Sequence, residues 1–418
     1  MDSTYKAVRT VAAVGLDLFG DLHEFVVTSN GTALMTVYNV TNMDLTSMGR
    51  PANGWIIDSL FQEVDIETGE LLFQWKASDH YNADDSFATN PFAGYWESIP
   101  FDFFHINSVE KDSKGNYIVS SRHTHTVTCI SPTGETLWIL GGHRNEFKDL
   151  SSGKAIDFKW QHDARWASEE DGILSIFDNG EAGPLHIDAP YSSGLMIQLD
   201  VNTRTATLLH QYVSLQQTRT PSQGSVQQLA GNNNTFIGWG HSAAFSEFDS
   251  NGTLICETHF GASWFYWWGR IVSYRSFKSS DWVGAPEYPP TVKTHGTHLY
   301  VSWNGATEVV AWELQGTTSI TDDTFQALDV VDKFGFEASF ELPSGYTNFR
   351  VAALDRGGRV LRYSESIQEE ASRTFVTFLF IASLFVAAIG GGRYAHRKMR
   401  YGGSKPSRGR SWIKYAPL

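Results

Sequence analysis

The chain has 418 residues, enough for one large or two medium domains, and its 41% hydrophobic and 14% aromatic content is ample for a sizeable core, which excludes a disordered chain. The formal charge of −14 is unevenly spread: Arg393 to Leu418 carries eight Lys and Arg and no acid, leaving 24 basic against 46 acidic residues elsewhere. An acidic body of this kind lacks the basic footprint that binding to phosphate backbones needs, so nucleic acid is excluded as the partner.

In chain order, the stretch before Asp21 has no apolar run or cleavage site of the secretory kind, and Tyr5 to Val14 reads as a strand. From there on, short runs rich in Val, Ile, Phe, Tyr, Trp and Thr alternate with polar residues, as in LLFQWKA, GNYIVSS and GLMIQLDV. One kind of turn recurs between the third and fourth strand of a longer unit: DIETGE at Asp65 to Glu70, SPTGET at Ser131 to Thr136, DVNTRT at Asp200 to Thr205 and DSNGTL at Asp249 to Leu254. Aligning on these turns gives four-strand units over His23 to Ala77, His105 to Gly142, His162 to Val213 and Ser222 to Gly261, each of the length of a propeller blade. A fifth, poorer unit spans Leu299 to Pro343, and the pair Asn348 to Arg356 and Arg359 to Ser364 is expected to close against Tyr5 to Val14. The competing architecture is a pair of β-sandwiches, which would not need the turn order to repeat. Asp79 to Pro100 and Tyr266 to Tyr288 are aromatic-rich insertions, expected as walls or lids over a site.

The fold is therefore read as all-β, a β-propeller ectodomain over residues 1–364. A juxtamembrane linker follows at 365–373. Thr374 to Gly392 carries no charge and is long enough to cross a bilayer as one transmembrane helix (374–392), and 393–418 is a basic tail. The acids before the span and the bases after it place the tail in the cytosol and residues before it on the luminal or extracellular side. Sequons at Asn30, Asn39, Asn233 and Asn251 fit that side, although Asn30-Gly and Asn251-Gly also read as plain turn chemistry. Cys129 and Cys256 are the only cysteines, leaving room for one disulfide and none for a disulfide framework or a cysteine-built zinc site.

Each unit opens on a strand with polar, chemically able residues where a packing strand would hold Val or Ile: DLHEF, FHINSV, WQHDARW and SQGSVQ. In a propeller the first strand of each blade lines the central channel, so His23, His105 and His162 are expected to meet there. His105 and Asn107, two residues apart, are expected to project from the same side of a strand. The next strand, SSRHTHT, adds Arg122 beside His123 and His125. A guanidinium, imidazoles and an amide together suit a tetrahedral oxyanion. Against this, a lone strand histidine is usually structural, which is the reading for His80, His143, His186, His210, His241, His259 and His295. Asp178 and Asn179 read as a turn, and Trp239 and Trp303 as core. No G-x-x-x-x-G-K-[ST] loop, C-x-P-x-R sequence, G-x-S-x-G elbow or H-E-x-x-H helix occurs. The chemistry is left to imidazoles, an amide and a guanidinium, with no cofactor and no metal.

The run FHINSVEKDSKGNYIVSSRHTHTVTCISPTGETLWILGG, followed by FKWQHDARW and LSIFDNG, resembles the arylsulfotransferase family, particularly its fungal membrane-associated branch. The likeness extends from DLHEF through PSQGSVQ to VSWNGATEV. It implies a six-bladed propeller that transfers a sulfuryl group from a phenolic sulfate donor to a phenolic acceptor, without a nucleotide, through a sulfohistidine. On that resemblance His162 is the nucleophile, His105, Asn107 and Arg122 hold the sulfuryl oxygens, and His23 is the acid or base on the phenol oxygen. The stretch before Asp21 is shorter than the resemblance implies, so the first blade is expected to be incomplete. An arylsulfate hydrolase using the same adduct, and a catalytically silent propeller that binds a sulfated or glycan ligand or a protein, are the alternatives.

Overall fold

The computed structural model describes residues 1–15, 18–261, 271–319 and 324–368. The expected membrane span and basic tail, and the end of the linker before them, lie outside these residues. Among the described residues no helix is long and apolar enough to cross a membrane. Among the described residues the fold is all-β, with only short 3-10 turns besides the strands. It divides into a larger unit, Ala7–Asp281, and a smaller one made of Met1–Lys6 and the chain from Trp282 onward.

In the larger unit four antiparallel sheets follow one another along the chain. The first is β1 (Gly20–Val27), β2 (Thr32–Met43), β3 (Gly54–Asp65) and β4 (Leu71–Lys76); the second is β5 (Ile106–Lys111), β6 (Tyr117–Ser121), β7 (Thr126–Ile130) and β8 (Thr136–Gly141). The third is β10 (His162–Ser168), β11 (Ile173–Asp178), β12 (Ser193–Asp200) and β13 (Thr205–Tyr212), with the two-residue β9 (Lys148–Asp149) added parallel to β13. The fourth is β14 (Ser225–Gln228), β15 (Thr235–Gly238), β16 (Ala244–Phe248) and β17 (Leu254–His259). These are the four units read from the sequence. The recurring turn has one mechanism: Asp65, Ser131, Asp200 and Asp249 each accept backbone N–H groups two to four residues on, which fixes the chain reversal locally.

The sheets stack through apolar layers. Phe61 and Trp75 of the first sheet share a core with Val109, Val119 and Ile139 of the second. Val127 and Leu140 meet Leu174, Ile176 and Leu195 of the third. Phe177, Met196 and Tyr212 then meet Val226, Ile237 and Trp239 of the fourth. Burying one such aromatic side chain is worth several kcal/mol, so a Phe→Ala change in these layers costs about 3–5 kcal/mol. The first strands come together in turn, β1 with β5, β5 with β10, and β10 with β14.

A buried charge hub ties the same strands. Glu24 on β1 is 2% exposed; it accepts the Val109 N–H at 3.3 Å and pairs with Arg165 of β10 and with Arg275, whose Nη1 lies 2.8 Å away. Asp163 lies 2.9 Å from the Arg165 Nε and 3.2 Å from the Arg275 Nε. Each buried charge thus has opposite partners, without which it would carry a penalty of several kcal/mol.

Two expectations need correction, and one open question is answered. Tyr5 to Val14 is not a strand: Val11, Ala13 and Val14 pack on the outer face of the first sheet, where Val14 exchanges two 2.8 Å hydrogen bonds with the Gln62 amide. Nor does Leu299 to Pro343 form a four-strand unit. In the smaller unit β18 (Thr291–His295), β19 (His298–Ser302) and β22 (Glu337–Glu341) make one sheet. β20 (Ala311–Thr317), β21 (Gln326–Asp332), β23 (Asn348–Leu354) and β24 (Val360–Tyr363) make another, with β25 (Ile367–Gln368) on β23. Leu299, Val301 and Phe340 of the first pack on Trp312, Leu314, Val351 and Ala353 of the second, so a core shared by two sheets, rather than hairpin order, decides the pairing. Finally, Cys129 and Cys256 are both free thiols. Cys129 is buried between the second and third sheets, where burial pushes its thiol up to about 12, and Cys256 is exposed on β17.

Candidate active site

The strands that open the first three sheets are irregular where a singled-out residue sits. The β1 register shifts between Gly20 and Phe25, around His23; the β5 register shifts between Ile106 and Ser108, at Asn107; the β10 register shifts between His162 and Arg165. Such bulges re-aim side chains. His105, Trp160, Asp163 and Gln223 also have φ of 57°, 58°, 54° and 68°, a left-handed conformation that costs a non-glycine residue about 1–3 kcal/mol and that clusters at functional sites. One consequence corrects the same-side expectation. His105 precedes β5 in a left-handed conformation, so strand alternation does not relate it to Asn107. Asn107 is fully buried and donates from Nδ2 to the Gln161 carbonyl at 2.7 Å.

His23 and His105 do come together, with ring centroids 4.9 Å apart at 83°. Each is held by a carboxylate. Asp21 bonds the His23 Nδ1 and accepts the His23 backbone N–H at 3.0 Å, and Asp102 Oδ2 lies 2.5 Å from the His105 Nδ1. Burial alone would raise both carboxyls, but the neighbouring imidazoles outweigh it; Asp21 is held below its ordinary value, and Asp102, with Arg122 adding to the pull, is brought down to about 2.

His123 packs on His105 at 4.6 Å. Its Nδ1 faces the Asp102 carbonyl at 2.6 Å and its Nε2 faces the Arg122 Nη1 at 3.2 Å. Burial, with the His105 charge next, pushes His123 down to about 3, so it is neutral, donating from Nδ1 and accepting from the guanidinium. Arg122 also donates from Nη2 to the Pro221 carbonyl at 2.7 Å and lies over the Trp160 ring at 5.6 Å. His125 stacks on Phe87 at 4.2 Å, so the insertion after Asp79 does reach this wall.

His162 is 3% exposed. Burial, then the Arg122 charge, hold it well below the usual imidazole range. Its Nδ1 lies 2.7 Å from Asn179 Oδ1, and Asn179 is itself oriented, since its Nδ2 donates to the carbonyls of Thr220 and Gln223. Its Nε2 accepts the Gln223 backbone N–H at 3.1 Å. The neutral ring thus has its proton on Nδ1 and its lone pair on Nε2. Tyr274 links the two ends of the site, its ring centroid 5.7 Å from His23 and 6.4 Å from His162. Tyr38 lies 5.5 Å from His23, and burial raises both phenols, so they stay protonated.

Buried polar atoms without a protein partner gather here, among them Asp102 Oδ1, Asn107 Oδ1, Arg122 Nε and Gln223 Oε1. Unpaired buried groups are costly and mark a place prepared for a ligand. Asp102, His105 and His123 also present ligand atoms within 4.8 Å of one another, a set able to hold a cation. The 2.5 Å span from Asp102 to His105 is that of a hydrogen bond, however, and the Arg122 cation lies beside it.

The sequence reading missed Asp21, Asp102, Tyr274 and the role of Asn179. The first two stood two and three residues before a flagged histidine, a readable signal. Asn179 gave none, because its turn looks like any other; Asp178 beside it does cap that turn, accepting the Lys159 and Gly180 N–H groups. Trp239 and Trp303 are core, as read.

Residues 1–261 match the family model described as arylsulfotransferase (ASST), more than half of the chain. The chain belongs to the arylsulfotransferase family. No curated protein matches the chain. Among solved structures it is similar to a protein of unknown function from Bacteroides caccae (14% identity, 58% of this chain and 82% of that one, TM-score 0.30). It is also similar to virginiamycin B lyase from Staphylococcus aureus (8% identity, 83% and 84%, TM-score 0.30) and to the Dos1 propeller (11% identity, 80% and 59%, TM-score 0.29).

The peptide that faces His162 depends on Gly224, whose φ is +116° and where a Cβ would lie 2.3 Å from the Phe177 ring. Gly224→Ala is expected to cost about 2–4 kcal/mol, measured by denaturant unfolding, and to withdraw the Gln223 N–H from His162.

Proposed function

We propose that this arylsulfotransferase moves a sulfuryl group from a phenolic sulfate ester to a phenolic acceptor through a sulfohistidine at His162. The observation that carries this reading is the His162 environment: a neutral ring with its proton committed to Asn179 and its Nε2 lone pair directed at a lone backbone N–H, close enough to Arg122 to feel its charge. Such an imidazole is a ready nucleophile at neutral pH, and a covalent intermediate divides one difficult transfer into two easier ones.

In the first half-reaction His162 Nε2 attacks sulfur and the phenol oxygen leaves. The attack gives up the hydrogen bond from Gln223, whose N–H is then free to bond a sulfuryl oxygen. Arg122 and His105 neutralise the remaining oxygens, and Asn107, buried with its Nδ2 committed to the Gln161 carbonyl, holds the backbone just before His162. His23 supplies the proton to the departing oxygen and takes it from the incoming phenol. Sulfuryl transfer, like phosphoryl transfer, asks the protein mainly for positioning and charge. With the membrane span and basic tail read from the sequence, this site works on the luminal or extracellular face.

The test is to incubate the full chain with 4-nitrophenyl sulfate, with and without phenol, and to seek an added sulfuryl mass on the peptide containing His162. Adduct formation with acceptor-dependent turnover supports the reading. Turnover without acceptor would instead show a hydrolase, and a folded protein with neither adduct nor release, across several donors, would sink both. Because His162 stays neutral well below the usual imidazole range, loading by 4-nitrophenyl sulfate, whose leaving group needs little protonation, is expected to show no loss from protonation of the nucleophile on going down from about pH 8 to about pH 5.5 in rapid-quench experiments.

A further inference from the structure

The site holds two carboxylate–imidazole pairs, and their surroundings differ. Asp102 also meets His123 through its backbone carbonyl, and His123 meets Arg122, which is in turn on the Pro221 carbonyl, so a guanidinium cation belongs to the chain around that pair. Asp21–His23 lies in the β1 bulge, with the His105 ring at 4.9 Å, the Tyr38 ring at 5.5 Å and the Tyr274 ring at 5.7 Å around it. Asp21 Oδ1 takes both the His23 Nδ1 and the His23 backbone N–H, which fixes the side chain to its own backbone. Among the described residues neither the His23 Nε2 nor the His105 Nε2 has a hydrogen-bond partner, whereas both nitrogens of His123 and of His162 are occupied; the two pairs differ in the His123–Arg122 chain, which only Asp102 joins.

We infer that Asp21 is the positioning carboxylate of the proton carrier: it holds the Nδ1 proton of His23 throughout the cycle and thereby leaves Nε2 alone to exchange a proton with the phenol oxygen, while Asp102–His105 serves charge rather than proton transfer. The inference rests on the transfer reading above. As the donor's S–O bond breaks and the N–S bond to His162 forms, the Nε2 proton of the His23 imidazolium passes to the aryl oxygen and the phenol departs. In the second half-reaction the acceptor's O–H proton passes to His23 Nε2 as its oxygen bonds sulfur and the N–S bond breaks, restoring the imidazolium. A carboxylate on Nδ1 stabilises that cation and keeps the ring from turning its other nitrogen to the substrate.

The test is the dependence of adduct formation on leaving-group acidity, using aryl sulfates from 4-nitrophenyl to unsubstituted phenyl. Asp21→Asn is expected to lower kcat/KM by about 10²-fold for phenyl sulfate and by less than about 3-fold for 4-nitrophenyl sulfate, because only the poorer leaving group needs the proton. Asp102→Asn is expected to lower all donors by the same factor, leaving the slope unchanged. His23→Gln, which removes the carrier itself, should reproduce the steep slope, and Asp21→Glu should restore part of the loss. Parallel losses for Asp21→Asn across the series, or a steepened slope for Asp102→Asn instead, would overturn the inference. If Asp21→Asn does not fold, the His23→Gln slope decides it: a flat one counts against a proton carrier at this pair. Failure of the wild-type chain to form any His162 adduct would strike the transfer reading itself, which these slopes presuppose.

Discussion

His162→Ala is expected to abolish the sulfuryl adduct and to lower turnover of 4-nitrophenyl sulfate by roughly 10⁴-fold or more, the scale seen when a covalent nucleophile is removed. The same change leaves Asn179 Oδ1 and the Gln223 N–H buried and unpaired, a penalty of about 1–3 kcal/mol for each. Lost activity could then be mistaken for lost fold. His162→Gln separates the two, because an amide can donate to Asn179 and accept from Gln223 but cannot form the adduct. Melting near the wild-type temperature with no adduct by mass spectrometry is the expected result for His162→Gln. An adduct that persists on another peptide would move the nucleophile to His23 or His105.

The second large effect is expected at Arg122. Its guanidinium holds the Pro221 carbonyl and His123 at once and lies over Trp160, so it is fixed before substrate arrives. A pre-positioned cation facing developing charge is worth about 10²–10³ in kcat, and Arg122→Ala should fall by that factor while KM for the aryl sulfate rises much less. Arg122→Lys should recover little, since an ammonium cannot span the same two acceptors and the aromatic face. Steady-state kinetics on both variants checks this. A loss under about 10-fold in kcat would mean that other groups carry the sulfuryl oxygens.

The four sheets of the larger unit were legible because each carries its own punctuation: an Asp or Ser that caps the turn between its last two strands, and a polar opening strand. Such signals are local, and they survive whatever the rest of the chain does. In the smaller unit β20 pairs with both β21 and β23, a choice made by Trp312 and Leu314 finding Val351 and Ala353 rather than by any turn. No neighbouring residue in the sequence announces that choice. The same divide runs through the site. His23, His105 and His162 could be singled out by recurrence, and Arg122 by its company. Asn179 could not, because what matters about it is a bond made across 17 positions to His162. Strand alternation misled at His105, where the left-handed backbone breaks the period on which the rule depends.

The hub around Glu24 bears on when this protein can first act. Its members are spread from Glu24 near one end of the larger unit to Arg275 near the other, with Val109, Asp163 and Arg165 between. During synthesis the chain leaves the ribosome in that order, so early sheets emerge with half of an electrostatic lock and nothing to close it. His23 shares β1 with Glu24, and the Arg275 guanidinium that pairs with Glu24 also donates to the Asn107 carbonyl at 2.7 Å. The nascent chain therefore carries β1 and Asn107 for a long interval before the guanidinium that ties them together is made, and the sulfuryl chemistry proposed here is expected only once Arg275 has emerged.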